Sequence, residues 1–386
     1  MAKRRGNNEG SIYQRGNGRW VAQVRIKGKR ISKSFDTQKE CQVWIRQLRE
    51  QIESGIRINA AKMAVGEYLA QWLQIIEGTI KPKTLDQYTG IVKNHLKPQL
   101  GKIKLSELQP YHIQQVYSDL KEKGHSQRNV QLVHSVLHRA LVIAERQGLI
   151  GRNPANAVIP PKVIQTEMKV LNDNQVRQFL IAAKGDRYEA LFHLAITTGL
   201  RQGELLGLKW LDVDWASDTI HVRRQLQRRK GEGLKFVSPK TKAGNRLVQL
   251  GVESMRLLAE HRKNQDVERL SSEWQEHDVV FPSMVGTPTD QRNLHKFFKR
   301  LLKKAGLPNI RFHDLRHTAA TLMLLNGIPL IVVSRRLGHS KPSVTLDIYG
   351  HYLPGMQEEA ANLMDELVTP IAVKWQQIGN SFEPSP

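Results

Sequence analysis

Three segments in the C-terminal half of the chain combine arginines, histidines and a tyrosine at regular spacings. They are Thr197-Thr-Gly-Leu-Arg201-Gln-Gly-Glu204, His313-Asp-Leu-Arg316-His317, and Leu337-Gly-His339 with Tyr349 ten residues after that histidine. A guanidinium stays charged and presents a planar fork that matches two phosphate oxygens. A phenol becomes a nucleophile when a neighbouring base removes its proton. Such groups suit the binding of a phosphate and nucleophilic attack on it.

The order of these segments resembles the signature of the tyrosine recombinase family, the integrases of phages and mobile elements. The resemblance covers roughly residues 60–370 of a strongly basic chain. It implies that a tyrosine cuts DNA through a covalent 3′-phosphotyrosine and later rejoins it, while cationic side chains surround the scissile phosphate. It names Tyr349 as the nucleophile and, around the phosphate, Arg201, Lys240, His313, Arg316 and His339.

The two arginines fit the charge that develops in such a reaction. Arg201 and Arg316 can neutralise the non-bridging oxygens of a pentacoordinate transition state, where a nuclease would use a metal. Glu204 lies three residues after Arg201 on the same helix face and can hold its guanidinium. Taken alone, Arg201 would be better interpreted as an exposed arginine at a helix start, and its pair with Glu204 could be an ordinary surface ion pair.

The nucleophile needs a base, and each assignment has a rival. Tyr349 has the family's spacing from the Gly-His pair, whereas Tyr352 follows three residues later on the same helical face. His313 is the candidate base for Tyr349, because Arg316 one helical turn later brings both side chains towards one spot. A structural histidine at a helix start is the alternative for His313.

The leaving oxygen needs a proton donor. The resemblance implies that Lys240 supplies this proton from a hairpin tip, although Lys242 lies two residues away on the same loop. His339 resembles the family's third phosphate-binding side chain; a contact at a helix C-terminus is the alternative.

Other classes of enzyme fit less well. His313 and His317 have zinc-helix spacing, but aspartate replaces the glutamate of that motif and an arginine projects beside it. No P-loop is present, and the clustered groups are cations rather than carboxylates. We therefore expect neither metal nor cofactor. The rivals that remain are a catalytically silent architectural DNA-binding protein of the same fold and a DNA topoisomerase.

The composition favours a nucleic-acid partner. Lys and Arg number 59 against 36 Asp and Glu in 386 residues, a formal net charge of +23. The sequence contains no run of 18 apolar residues that could span a membrane, and the basic N-terminus lacks the apolar stretch of a secretory signal. The single cysteine, Cys41, suits a reducing compartment. We expect a bacterial cytoplasmic protein on double-stranded attachment sites, working with a host DNA-bending or directionality factor.

The predicted fold is α+β, mainly helical, and divided into domains. The predicted parts are an arm-type DNA-binding domain (residues 1–56), a helical core-binding domain (60–150), a linker (151–168), a catalytic domain with a small antiparallel sheet (169–370) and a tail (371–386). The first part has 13 Lys or Arg against 5 Asp or Glu. Its Asn17-Gly18 turn predicts a hairpin, and Thr37 with Glu40 predicts a helix-capping box.

Periodicity predicts further elements. Four helical segments are expected in the second part, near residues 65–76, 83–96, 110–123 and 127–147. In the catalytic domain, strands 235–239 and 246–250 are expected to pair with each other across the Lys240 loop. The last helix, residues 356–368, has an apolar stripe of Ala360, Leu363, Met364 and Leu367. The family resemblance implies a homotetramer on DNA, in which this helix docks on a neighbouring protomer; packing on its own domain is the alternative.

Overall fold

The computed structural model describes residues 10–26, 29–53, 63–163, 168–229, 231–239, 241–350 and 356–368. The chain divides into two compact units, residues 1–165 and 166–386. It is mainly helical with small antiparallel sheets, which confirms the predicted fold class. Within the described ranges, no helix is both long and apolar enough to cross a membrane.

The N-terminal part is a three-stranded antiparallel sheet with one helix. Its elements are β1 (Ser11–Gln14), β2 (Trp20–Ile26), β3 (Lys29–Phe35) and α1 (Gln38–Glu53). Ala22 and Val24 alternate along β2 and pack against Cys41 and Ile45 of α1. The predicted capping box forms at the start of α1, because the backbone N–H of residue 40 donates to the Thr37 hydroxyl (3.2 Å) and that of Thr37 to the Glu40 carboxylate (3.0 Å).

The following helical part has its own core. Its helices are α2 (Val65–Ile76), α3 (Pro82–Ile91), α4 (Lys97–Leu100), α5 (Pro110–Glu122) and α6 (Gln127–Arg146). The segment predicted as one helix over residues 83–96 is divided, because Val92–Leu96 forms a π-helical turn between α3 and α4. Helix α6 matches the segment expected near residues 127–147, and its apolar face is buried from Val130 to Ala144. Pro154–Ala157, at the start of the predicted linker, forms a 3₁₀ turn whose Ala155 joins this core.

The second unit contains most of the remaining helices. They are α7 (Asp173–Ala183), α8 (Glu189–Thr198), α9 (Gln202–Leu206), α10 (Val252–Glu268), α11 (Gln291–Lys304), α12 (Asp314–Leu325), α13 (Leu330–Leu337), α14 (Pro342–Tyr349) and α15 (Met356–Val368). Helix α8 is buried along almost its whole length, as expected of a helix that is apolar on nearly every face. It packs against α12, which carries the His-x-x-Arg segment.

The strands of this unit pair differently from the prediction. They are β4 (Val213–Asp214), β5 (Thr219–Val222), β6 (Gln225–Arg229), β7 (Gly233–Val237) and β8 (Arg246–Gln249). The predicted pairing of residues 235–239 with 246–250 is wrong: β7 pairs with β6, and β8 returns to β5. The physical reason is a hairpin turn after β6, where Gly231 and Gly233 both have φ of +77° and reverse the chain.

Two helices end at glycines that the backbone requires. Gly199 closes α8 with φ of +66°, and Gly338 closes α13 with φ of +70°. A Cβ on Gly199 would lie 2.5 Å from Leu337, so the two helix ends approach closely. This approach places the C-terminal carbonyls of α8 and α13 side by side.

Candidate active site

Arg316 lies at the meeting point of these two helix ends. Its guanidinium is almost wholly buried and donates to the carbonyl oxygens of Gly199 and Leu337, both at 2.8 Å. Helix C-termini carry partial negative charge, which favours a cation there. Burial and the nearby positive charge of Arg201 lower the pKa of Arg316 to about 9, so it remains charged at neutral pH. Carbonyl dipoles, rather than a carboxylate, therefore hold this side chain.

Arg201 enters the same region from the start of α9. Its guanidinium donates to the Glu204 carboxylate at 2.8 Å, and its backbone N–H donates to the same carboxylate at 3.0 Å. The predicted pair with Glu204 is confirmed, but Glu204 is buried rather than on the surface. The side chain of Arg201 keeps 38% of its surface exposed. It is held at one end and open at the other.

A third arginine, Arg246 at the start of β8, completes the group. It forms an ion pair with Glu204 at 3.1 Å and donates to the backbone carbonyl oxygens of Arg336 (2.7 Å) and Gly244 (3.2 Å). Burial alone would raise the pKa of the Glu204 carboxyl, but the charges and hydrogen bonds of Arg246 and Arg201 outweigh it and lower that pKa. One buried carboxylate thus serves two arginines.

His339 follows the turn at Gly338. Its Nδ1 lies 2.8 Å from the hydroxyl of the buried Thr345. Burial and the positive charges of Arg316, Arg201 and Arg246 lower the pKa of His339 to about 4. The ring is therefore neutral at pH 7, and it lies within electrostatic reach of all three arginines.

Tyr349 is the last residue of α14 and is 1% exposed. Its hydroxyl lies 2.8 Å from Nδ1 of His317, one helical turn after His313 on α12. The contact that the sequence suggested for His313 is thus made by His317. Tyr349 also interacts electrostatically with Arg316, which joins the phenol to the arginine group.

The ring of His313 faces that of His317 edge-on, with 5.0 Å between their centroids. Crowding by surrounding atoms and the charges of His317, Arg316 and Arg201 lower the pKa of His313, although its side chain keeps exposed surface. The structure therefore brings Arg201, His313, Arg316, His339 and Tyr349 together.

Two residues weighed from the sequence cannot be placed. Lys240, the candidate proton donor, and Tyr352, the rival nucleophile, fall outside the described residues. Lys242 is exposed in a short 3₁₀ turn, Lys242–Gly244, that leads into β8 and Arg246.

Positive charge dominates this pocket. Three guanidiniums lie around the carboxylate of Glu204, and His313 and His339 beside them are held neutral. Cations that are fixed in place and not fully neutralised form a site for an anion whose oxygens accept several hydrogen bonds. Within the described part of the chain, no three metal-ligating side chains converge.

Comparison with known proteins identifies the family. Residues 169–355 match the Phage integrase family, and residues 64–121 match its N-terminal SAM-like domain. A "Tyrosine recombinase XerC-like" protein of Caldanaerobacter subterraneus subsp. tengcongensis is 33% identical over 364 residues, 88% of this chain and 93% of that protein. The chain belongs to the phage integrase family of tyrosine recombinases.

Other relatives of this tyrosine recombinase come from mobile elements. The ICEBs1 integrase of Bacillus subtilis is 26% identical over 337 residues, 86% of this chain and 91% of that protein. A part of the Tn1549 transposon integrase, solved with a circular intermediate DNA, has a TM-score of 0.67 at 23% identity and covers 80% of this chain and 100% of that one. A lambda integrase tetramer on a Holliday junction has a TM-score of 0.55 at 19% identity, covering 89% and 98%. These structures establish the shared fold.

Sequence reasoning missed two residues of the recombinase pocket. The sequence places His317 one helical turn after His313, at zinc-helix spacing, but it does not reveal which of the two rings faces α14. Arg246 opens a strand and carries no motif of its own; it reaches Glu204 only because β8 pairs with β5 rather than β7.

The charge of this pocket gives a prediction for His339. Its pKa should lie near 4 in the free recombinase, so its NMR signal should remain that of a neutral ring from pH 8 to about pH 5. Arg246→Met removes one nearby positive charge and should raise this pKa towards the ordinary value. Arg223→Met, which removes an exposed arginine paired with Asp212, is the control and should leave it unchanged. Titration of wild-type His339 near 6.5 would contradict the described electrostatics.

Proposed function

We propose that the chain is a site-specific integrase that cuts and rejoins DNA through a 3′-phosphotyrosine at Tyr349. The supporting observation is a tyrosine hydroxyl, hydrogen-bonded to His317, beside an arginine pocket with more positive than negative charge. A phosphodiester supplies the anion that such a pocket needs, and the phenol supplies the nucleophile. The two features together favour this function over binding alone.

The proposed reaction is a transesterification. Tyr349 attacks the scissile phosphorus, and negative charge grows on the two non-bridging oxygens as the 5′ oxygen leaves. Arg201 and Arg316 bind those oxygens through guanidinium forks, while His313 and His339 each donate a ring N–H to the same phosphate. Each step conserves the energy of the phosphodiester, so rejoining needs no nucleotide cofactor, and charge neutralisation by arginine makes a metal unnecessary.

The leaving 5′ oxygen requires a proton, and we assign this role to Lys240. The loop that carries it leads through Lys242–Gly244 into Arg246, whose guanidinium lies in the pocket. Lys242 is the alternative donor on the same loop.

The proposed substrate is double-stranded DNA at the attachment sites of a phage or mobile element. The net charge of +23 supports a polyanionic partner whose binding weakens steeply with salt. The Tn1549 and lambda integrase structures contain DNA, which supports the same substrate class here. A host DNA-bending or directionality factor is part of this proposal.

The nucleophile can be tested with a nicked core-site duplex in EDTA. Loss of the short fragment prevents rejoining, so the wild type should accumulate covalently bound to a 3′-phosphate. Tyr349→Phe should bind this DNA with near-normal affinity, because only the phenolic oxygen is lost. It should form no adduct, because that oxygen is the nucleophile. Tyr352→Phe is the matched control and should remain active. Tight binding without any wild-type adduct would favour the architectural DNA-binding protein; an adduct that persists in Tyr349→Phe and vanishes in Tyr352→Phe would identify Tyr352 as the nucleophile.

We assign the N-terminal sheet to arm-type DNA. Arg25 and Arg30 lie directly opposite each other on β2 and β3, and both are exposed. Like charges at directly opposed positions destabilise a sheet unless an anion lies between them, and a DNA backbone supplies that anion. The pair therefore marks the face of the sheet that we expect to contact phosphate.

Replacement of both arginines tests this assignment. Arg25→Gln with Arg30→Gln should weaken recombination of sites that carry arm sequences far more than cleavage of a minimal core site. Arg19→Gln is the control, because Arg19 is paired with Asp36. Equal losses on the two substrates, measured side by side, would argue against arm binding.

We further propose assembly as a homotetramer on two DNA duplexes, with α15 docked on a neighbouring protomer. Leu363, Met364 and Leu367 of this helix are all more than half exposed, which supports docking outside its own domain. The side chain of Ala360, the remaining member of the predicted stripe, lies outside the described residues. A lambda integrase tetramer of the same fold supports this assembly.

The proposed docking of α15 on a neighbouring protomer can be tested by substitutions that keep the helix in place. Leu363→Ser with Leu367→Ser should abolish synapsis of two sites, measured by sedimentation of protein–DNA complexes, and leave binding to one site intact. Asn362→Ser with Glu366→Ser changes the neighbouring face and serves as the control. Undiminished synapsis in the leucine variant would mean that the stripe does not join protomers.

A further inference from the structure

The base that activates the nucleophile can be identified from the contacts of Tyr349. Its hydroxyl is 2.8 Å from Nδ1 of His317, a normal hydrogen-bond length. Tyr349 is fixed by packing, because α12, α13 and α14 share a small core that includes Ala320, Val333 and Tyr349 itself, and His317 lies on α12 with its ring centroid 5.7 Å from that of Tyr349. A base must lie within hydrogen-bond reach of the proton that it removes, and His317 meets this condition.

The surroundings of His317 favour its neutral form. Burial lowers its pKa, the negative charge of Asp314 opposes this effect, and Arg311 and Arg316 add to it, with a net decrease. The groups that face the ring from its own helix, the preceding loop and the neighbouring elements are Arg311, His313, Asp314, Arg316, His339 and Tyr349. A neutral ring with its proton on Nε2 leaves the Nδ1 lone pair available to the phenol.

We propose that His317, rather than His313, accepts the proton of Tyr349 during DNA cleavage. This inference rests on the proposed recombinase function and assigns one step of it. The Tyr349 O–H bond breaks as its proton passes to Nδ1, the phenolic oxygen bonds to phosphorus, and the P–O5′ bond breaks with a proton from the lysine donor. In rejoining, His317 returns the proton to the departing Tyr349 oxygen, so solvent need supply none.

This assignment leaves His313 with a different task. Its side chain is exposed, and its ring packs edge-on against that of His317. It interacts electrostatically with both Arg201 and Arg316, the residues assigned to the phosphate. We therefore place His313 at the phosphate and His317 at the nucleophile.

The roles of His313 and His317 can be distinguished by combining a substitution of each histidine with a fluorinated tyrosine at position 349. His317→Asn keeps a hydrogen-bonding atom near the position of Nδ1 but cannot take up a proton at neutral pH. It should slow adduct formation on the nicked core-site duplex by on the order of 10²-fold or more. Incorporation of 3,5-difluorotyrosine at position 349 lowers the phenol pKa, so it should restore most of the rate lost in His317→Asn and raise the rate of that variant by a far larger factor than that of the wild type.

His313→Asn is the matched control, and fluorination should not restore its rate. The inference is overturned if His317→Asn reacts within a few-fold of the wild type, if its slow reaction is not rescued, or if fluorination rescues His313→Asn instead. Slow reaction without rescue would assign His317 a positioning role only. Failure of the wild type to form any adduct on the same DNA would instead refute the proposed function, so the two failures are distinguishable.

Discussion

The pocket depends on one buried guanidinium held by two helix ends. Arg316 donates to the last carbonyls of α8 and α13, and these helices meet there because left-handed glycines close both of them. A carboxylate at this position would cancel the positive charge. Carbonyl dipoles stabilise the guanidinium without cancelling it, which leaves the charge available to an anion. The same contacts fix the turn that carries His339 and the start of the segment that carries Arg201.

The remaining groups limit the repulsion that such a pocket creates. Glu204 is shared between Arg201 and Arg246, which keeps three arginines together at the cost of one buried carboxylate. Each histidine stays neutral, because a further proton would add charge to a region that is already positive and poorly solvated. A phosphate would relieve this imbalance, and a transition state with greater negative charge would relieve it further.

Much of this arrangement could be predicted from the sequence. The capping box of Thr37 and Glu40 and the helix expected near residues 110–123 follow from local chemistry and periodicity, and the structure contains both, the helix as Pro110–Glu122. The hydrogen bond between His317 and Tyr349 could not be predicted, because it depends on the rotation of α12 against α14. The pairing of β7 with β6, and hence the place of Arg246, depended on a Gly-x-Gly turn whose hairpin went unrecognised. Tertiary packing decided both points.

We propose that the arginines act on the charge of the reacting phosphate. This proposal can be tested by measuring adduct formation on a nicked core-site duplex whose scissile phosphate is replaced by a methylphosphonate, which lacks one charged oxygen. On the ordinary phosphate, Arg201→Ala and Arg316→Ala should each slow the reaction by about 10²-fold or more. On the methylphosphonate, we expect each loss of rate to shrink to a small fraction of this value, because little charge remains to neutralise. Equal losses on both substrates, in variants that fold and bind DNA normally, would contradict it.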